Sequence, residues 1–332
     1  MPLFMYTLGI ETSCDETSCA VLKNYKVLSN ITLSSLREHA KYGGVVPEIA
    51  TRAHLKNIDK VLSLALRKAH ISLKEISLVS VTYKPGLMGA LVVGLNFAKA
   101  LALALNKPFI GVNHLYAHLF APFLNSHEKL QFPFLGVVVS GGHTELYQVD
   151  DFNQITILGQ TRDDACGEVY DKIAKAYNLG YPGGPAIDRM FSRHRKNDFK
   201  FKCGRIGFDL SFSGIKTALI YKKIELEKSQ GLSTNTKVGL VSSFQYAVVE
   251  VLVATILEAC LKYGLKNVVC GGGVVANSYL RQRLKESQSK KINFLISPLL
   301  TCDNAAIVAG LGFYLYNKKG LKSNINLEAE PN

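Results

Sequence analysis

The sequence contains no CxxC pair, and its cysteines, Cys14, Cys19, Cys166, Cys203, Cys260, Cys270 and Cys302, are odd in number and scattered. That pattern argues against a disulfide scaffold. A basic leader is also missing: the start, MPLFMYTLGIET, meets an acid at Glu11, which excludes a secretory signal. The most apolar stretches, 86–112 and 246–261, are interrupted by Asn96, Lys99, Glu250 and Glu258, short of the roughly 20 unbroken residues of a bilayer span. A soluble, cytoplasmic protein is expected. Acidic residues are scarce, 26 Asp and Glu against 39 Lys and Arg, for a net charge of +13 and a pI near 9.3. Such a balance suits a phosphate-rich partner without deciding for nucleic acid. The chain does have 332 residues, 48% of them hydrophobic and 20% charged, the composition of globular cores rather than of disorder. Its length predicts two domains, at about 150 residues each.

Two segments resemble each other at constant offset, LGIETSCDETSCAVL from Leu8 and LGVVVSGGHTELYQV from Leu135. Leu8, Gly9, Ser13 and Thr17 fall on Leu135, Gly136, Ser140 and Thr144. Each reads as an apolar strand, a turn of small residues and a second strand, which is hairpin chemistry and suggests an internal duplication. Between them, helical spacing in ATRAHLKNIDKVLSLALRKAH precedes a strand, a Gly-rich turn and a helix in SLVSVTYKPGLMGALVVGLNFAKALALAL, then a strand in KPFIGV. The same grammar returns in the second half, from TKVGLVSSFQYAVVEVLVATILEACLKYG through KNVVCGGG, ANSYLRQRLKES and NFLISP to NAAIVAGLGFYLYN. This alternation predicts an α/β fold with domains at 1–130 and 131–332. Residues 150–215 break the alternation and are expected to be an insertion, and the tail from Lys318 to Asn332 to be weakly ordered.

His114 and His118 stand four residues apart after a predicted strand, so on a helix they share one face, the spacing for two imidazoles on one metal. Asn113 is a fair N-cap. Leu115 occupies the place where a zincin carries its general-base Glu, which excludes that protease chemistry. Asp303, at a strand-to-helix junction, completes a two-His, one-carboxylate set or simply caps the following helix. Sequence prefers neither Fe2+ nor Zn2+. The hairpin turns, Glu11 to Ser13 and Ser140 to Thr144, expose backbone N–H groups and hydroxyls suited to phosphate or carboxylate. Gly271, Gly272 and Gly273 lie between a strand and a helix, where backbone can approach a nucleotide, although no acid follows at ribose distance. In the insertion, Asp163, Asp164, Glu168, Asp171 and Asp188 offer carboxylates for hydroxyls or an ammonium, or are solvated charges. Further on, Arg189, Arg193, Arg195, Lys196, Lys200, Lys202 and Arg205 interleave with Phe191, Phe199 and Phe201, either a backbone-and-base surface or a solvated loop with core anchors.

Taken together, GIETSCDETSCAV, HAKYGGVVPEIATRAH, YKPGLMGAL, NHLYAHL, VSGGHTEL, DDACGEVYDKIAKAYNLGYPGGPAIDR, DLSFSGIKTA, CGGGVVANSYLR and SPLLTCDNAAIVA resemble the tRNA N6-adenosine threonylcarbamoyltransferase family, once labelled O-sialoglycoprotein endopeptidases. They run in the family's order from Leu8 to about Tyr316. The resemblance implies an actin, Hsp70 and sugar-kinase type fold, two RNase H-like α/β domains around a nucleotide cleft. It implies transfer of the threonylcarbamoyl group from threonylcarbamoyl-adenylate to N6 of adenosine 37 of tRNA, releasing AMP. It further implies His114, His118 and Asp303 as ligands of one divalent metal, iron in the bacterial form with zinc as the alternative. Val138, Val139, Ser140, Gly141, Gly142, Asp171, Gly184, Asp188 and Asn277 are implied as the substrate-binding set. Implied partners are tRNA, a smaller paralogue of the same fold and a P-loop ATPase. The chain departs from the family pattern at Thr51, where Ser is frequent, and in its last residues, NLEAEPN, which lack a basic ending. An ATP-dependent kinase on the same fold has no purpose for the His114, His118 and Asp303 set, and a catalytically silent complex subunit should have lost it. No residue is marked as general base.

Overall fold

The computed structural model describes residues 4–125, 129–229, 231–298 and 300–331. The chain divides into two compact units, Met1–Leu130 with Ser297–Asn332, and Gln131–Ile296. The division near residue 130 coincides with the expected one, but 131–332 is not a single domain, because its last stretch returns to the first unit.

In the first unit β1 (Tyr6–Glu11), β2 (Glu16–Lys23) and β3 (Lys26–Ser34) form an antiparallel meander. After the short α1 (Leu36–Ala40) and the long α2 (Pro47–Ala69), β4 (Leu78–Lys84) pairs parallel with β1. Next, α3 (Met88–Leu105) leads to β5 (Phe109–Asn113), parallel to β4, and to α4 (His114–Phe120). The sheet order is β3-β2-β1-β4-β5. Strand periodicity sorts the faces: Leu8, Ile10, Val79 and Val81 pack with Ile58 and Val61 of α2 and with Leu95 and Ala98 of α3, while small residues face the other way. A Cβ on Gly9 would stand 2.1 Å from the Ala305 carbonyl, and Ser80 Oγ donates to Val308 O at 2.7 Å. Those small residues let α10 (Ala305–Lys319) lie directly on the sheet, which is the physical reason the C-terminal stretch belongs here.

The second unit repeats the plan. It contains β6 (Phe134–Val139), β7 (Thr144–Asp151), β8 (Gln154–Gln160), β11 (Asn267–Gly271) and β12 (Asn293–Ile296), in the order β12-β11-β6-β7-β8. Read from β8, this is the first sheet's order, with β6 and β7 in the places of β1 and β2, and the antiparallel and parallel pairings match as well. The duplication inferred from the hairpins therefore holds for the whole sheet. It also corrects the insertion, since 154–160 is the counterpart of β3. What interrupts the plan begins after β8: α5 (Cys166–Ala176), α6 (Gly183–Met190) and the β9 (Gly204–Ile206) and β10 (Asp209–Ser211) hairpin. Then α7 (Ser213–Ser229), α8 (Thr234–Tyr263) and α9 (Ser278–Ser287) complete the unit.

Helices α3 and α8 are each long and apolar enough to cross a membrane, by length and composition alone; 67% of the most apolar window of α8 and 33% of that of α3 is buried in the fold. All seven cysteines are free. Residues after α10 are better held than the sequence suggests. Ser323 N donates to Phe109 O, Glu330 N to Tyr83 O and Gly86 N to Pro331 O, Leu327 packs against the first core, and Lys84 Nζ meets Glu330 at 2.6 Å.

Candidate metal centre and substrate site

Asn113 ends β5 and caps α4, its Oδ1 accepting Leu115 N at 2.8 Å and Tyr116 N at 3.2 Å. Capping here fixes His114 on the first turn and puts His118 one turn on, on the same face. Asp303 does not cap α10. That task falls to Asn304, whose Oδ1 accepts Ala306 N and Ile307 N, leaving the Asp303 carboxylate for the histidines. His114 Nε2 and His118 Nε2 lie 3.2 Å apart, Asp303 Oδ1 is 3.1 Å from His118 Nε2, and 3.5 Å from His114 Nε2. Ligand bonds of about 2.1 Å at tetrahedral angles place donor atoms about 3.4 Å apart, so this triangle has the dimensions of a metal site. Two imidazole nitrogens facing each other need a cation or a proton between them. His118 Nδ1, buried, finds no partner among the described residues. The donor set, two imidazoles and a carboxylate, fits Fe2+ or Zn2+.

Behind the triangle lies Glu11, fully buried at the end of β1. Its Oε2 is 3.0 Å from His114 Nδ1 and accepts Thr82 Oγ1 at 2.5 Å, while Oε1 accepts Ser13 N at 2.5 Å. Burial pushes the Glu11 carboxyl up, but His114 outweighs it and holds it below the usual range. Asp303, likewise raised by burial, is held well below by the two histidines. Burial alone would lower His114, yet Asp303 and Glu11 raise it well above an ordinary imidazole. The Glu11 to Ser13 turn is thus no exposed cradle. Its groups are spent inward, with Thr12 Oγ1 on Ala90 O.

In the second unit the implied substrate residues lie on β6 and the turn after it, on α5 and α6, and at the head of α9. Val138 and Val139 are buried strand residues, offering backbone only, and Val138 pairs with Gly271. A Cβ on Gly272, at φ +94°, would meet Val139 O at 2.3 Å, so the Gly271–Gly273 turn presses on that strand. Ser140 to Gly142 form the exposed β6–β7 turn; Gly167 N, at the head of α5, donates to Ser140 O, and Cβ atoms on Gly141 and Gly142 would meet nothing. Asp171 accepts Gly183 N at 2.6 Å, next to Gly184. Asp188 accepts Ser278 N and Ser278 Oγ, both at 2.9 Å, and Asn277 caps α9 through Leu280 N at 2.9 Å. Three carboxylates of the segment turn out to be structural. Asp163 receives Phe212 N and Ser213 N at the start of α7, Asp164 pairs with Lys172 and Lys216, and Glu168 pairs with Lys172. Phe191, Phe199 and Phe201, partly buried, pack against the second core and anchor the basic segment.

A profile of the family described as TsaD, tRNA N6-adenosine threonylcarbamoyltransferase, matches residues 26–310. The chain belongs to the tRNA N6-adenosine threonylcarbamoyltransferase family. It is 46% identical over 333 residues to the enzyme so named from Thermosipho africanus, covering 99% of both chains, and 47% identical to that of Dictyoglomus turgidum, covering 98% of both. Family membership makes the chain a transferase of tRNA threonylcarbamoyladenosine modification, with tRNA as substrate. Among solved structures it resembles HypF of T. kodakarensis, at a TM-score of 0.61 and 16% identity over 96% of this chain and 48% of that one. It also resembles the activator of 2-hydroxyisocaproyl-CoA dehydratase of Clostridium difficile, at 0.51 and 14% identity over 96% and 99%. Those likenesses place it in the actin, Hsp70 and sugar-kinase type of fold.

Two polar residues of the sites escape a reading of motifs. Glu11 follows an apolar strand and looks like a turn residue, and Gln245 sits inside the apolar helix α8. The one signal for Gln245 is a polar cluster, Ser242, Ser243 and Gln245, in a stretch otherwise apolar.

Proposed function

We propose that this transferase moves the threonylcarbamoyl group from threonylcarbamoyl-adenylate to N6 of adenosine 37 in tRNAs reading codons that begin with A. The N6 amine forms a bond to the carbamoyl carbon, the bond from that carbon to the phosphate oxygen breaks, AMP leaves with the electron pair, and N6 gives up a proton. His114, His118 and Asp303 would hold one divalent metal, Fe2+ or alternatively Zn2+, with Glu11 fixing His114 by its Nδ1. When bound, such an ion supplies charge withdrawal from a phosphate or carbamoyl oxygen. The amides of Ser140 to Gly142 hold the anionic part of the substrate, and Asp171 and Asp188 take ribose or threonine hydroxyls. Gly271 to Gly273 let the adenine approach the backbone beside Asn277. An exocyclic amine is a poor nucleophile, so positioning supplies much of the rate. The reaction takes place in the cytoplasm with a smaller paralogue of the same fold and a P-loop ATPase as companions.

The observation that carries this reading is the 3.1–3.5 Å triangle of His114, His118 and Asp303 in a chain that matches the family over nearly its whole length. The test incubates metal-loaded protein with threonylcarbamoyl-adenylate and unmodified tRNA, with and without the two companions, followed by nucleoside mass spectrometry. Wild type yields modified adenosine, and His114→Ala and Asp303→Ala do not. Inactivity with cognate companions, together with ATP consumption on a small hydroxylated substrate, would replace the reading with that of a kinase.

A further inference from the structure

Helix α8 runs through the second core, and most of its buried residues are aliphatic or aromatic. Ser242, Ser243 and Gln245 are the exceptions within one turn, all essentially without solvent exposure. Buried polar side chains demand partners, and these three find them outside their own helix. Ser242 Oγ accepts Ser192 N at 2.9 Å and Ser243 Oγ accepts Phe199 N at 3.1 Å, so both hold main chain of the basic segment. Gln245 differs. Its two partners are side chains, and they are Asp188 and Asn277, with Nε2 donating to Asp188 Oδ1 at 3.0 Å and Oε1 accepting Asn277 Nδ2 at 3.0 Å.

The direction of these hydrogen bonds is forced. Leu280 N at the head of α9 needs an acceptor and takes Asn277 Oδ1, so Asn277 must turn its NH2 toward Gln245. Gln245 must then present its oxygen to Asn277 and its NH2 to Asp188. Asp188 accepts that hydrogen along with two from Ser278, which fixes the plane of its carboxylate. Asn277 keeps one N–H that this relay does not use. An apolar side chain of the same volume would fill the space but leave both hydrogen bonds unmade.

We propose that Gln245 is a positioning residue of the transferase, holding Asp188 and Asn277 in the arrangement that receives the adenosine part of the substrate. The inference rests on the reading of Asp188 and Asn277 as substrate contacts. Gln245→Glu keeps the shape and still accepts from Asn277, but turns a carboxylate toward Asp188 and breaks the relay at one link.

The test titrates the full chain with AMP by calorimetry and measures KM for threonylcarbamoyl-adenylate. Gln245→Glu raises the Kd for AMP and the KM by about tenfold or more, while kcat at saturation changes less. Ser243→Ala, which touches only main chain of the basic segment, leaves the Kd within about twofold. Should Gln245→Glu fold poorly, the double variant Asp188→Asn with Gln245→Glu restores a donor opposite the new carboxylate and recovers thermal stability beyond the sum of the single changes. An unchanged Kd in folded Gln245→Glu, where Asp188→Ala and Asn277→Ala do weaken AMP, overturns the positioning role alone. Unchanged binding in all three overturns the substrate contacts as well, and the positioning role with them.

Discussion

Glu11 Oε2 stands 3.0 Å from His114 Nδ1, on the opposite side of the imidazole from the Nε2 that faces His118 and Asp303. The carboxylate therefore dictates which nitrogen carries the ring hydrogen and leaves Nε2 as the donor to a cation. Glu11→Gln keeps the volume and weakens that bond. Metal affinity, followed by competition with a chelator, should fall about 10- to 100-fold with the fold retained by circular dichroism. Unaltered affinity would mean that packing alone orients the ring.

The same group of charges gives the metal-free protein a characteristic pH dependence. His114 is raised in the folded state, so its contribution is complete below about pH 6.5 and is lost as pH rises through the folded value. Glu16 is pushed up to about 9 by burial, then by Asp303 and Asp15, so it costs stability progressively from about pH 4.5 up to about 9. Glu11 and Asp303, both lowered, contribute above the ordinary carboxylate range and lose that contribution in acid. Urea midpoints of the metal-free chain should thus peak in mild acid and decline toward alkaline pH. Loading the metal should remove the His114 share of that decline, because a cation replaces the proton on His114 Nε2, and leave the Glu16 share.

Gly272 and Gly141 make a paired test of the second unit. Alanine at 272 combines φ +94° with a contact at 2.3 Å to Val139 O, and should cost about 1–3 kcal/mol in thermal unfolding. Alanine at 141 meets nothing, so stability should stay within about 0.5 kcal/mol. If the 140–142 amides hold the substrate anion, Gly141→Ala should still raise KM, separating binding from folding.

Asp163 gathers hydrogen bonds from Ser211, Ser213 and the backbone N–H groups of Phe212 and Ser213, and these outweigh burial to hold its carboxyl below the usual value. Asp163→Ala should destabilise by about 1 kcal/mol, as loss of a helix cap does. The deficit should shrink as pH falls through the lowered folded value, since the wild type then loses the same contribution. Equal deficits at neutral and acid pH would assign the cost to packing.

On the first unit's edge, Leu327 and Glu330 fasten the segment after α10. Leu327 is half-buried on the core, and Leu327→Ala should cost about 1–2 kcal/mol, less than the about 2–5 of a fully buried leucine. The Lys84–Glu330 pair is solvent-accessible, so Glu330→Gln should cost under about 1 kcal/mol, and less in high salt.

Much of this organisation was legible in the residues. The hairpins from Leu8 and Leu135 announce themselves by alternation and small turn residues, and they carry the duplication. His114 and His118 are legible because helix periodicity and the Asn113 cap act locally. Other features depend on partners far along the chain. β8 was hidden because its exposed positions on an edge strand dilute the pattern. Asp303 could be read as a cap until Asn304 was seen to do that work. The return of 297–332 rests on tolerances at Gly9 and Ser80, which no pattern within α10 reveals. Glu11 and Gln245 become intelligible only through the side chains they face.

That return has a consequence for the order of events during synthesis. His118 and Asp303 are separated by 185 residues, and the whole second unit is translated between them. Its sheet and helices are contiguous in sequence, so it can close on itself while the first unit still lacks α10. The ribosome therefore delivers two histidines early and their carboxylate almost last. Any cation held as proposed is captured only once the chain is nearly complete, and a chain that stops before Asp303 carries two of the three donors.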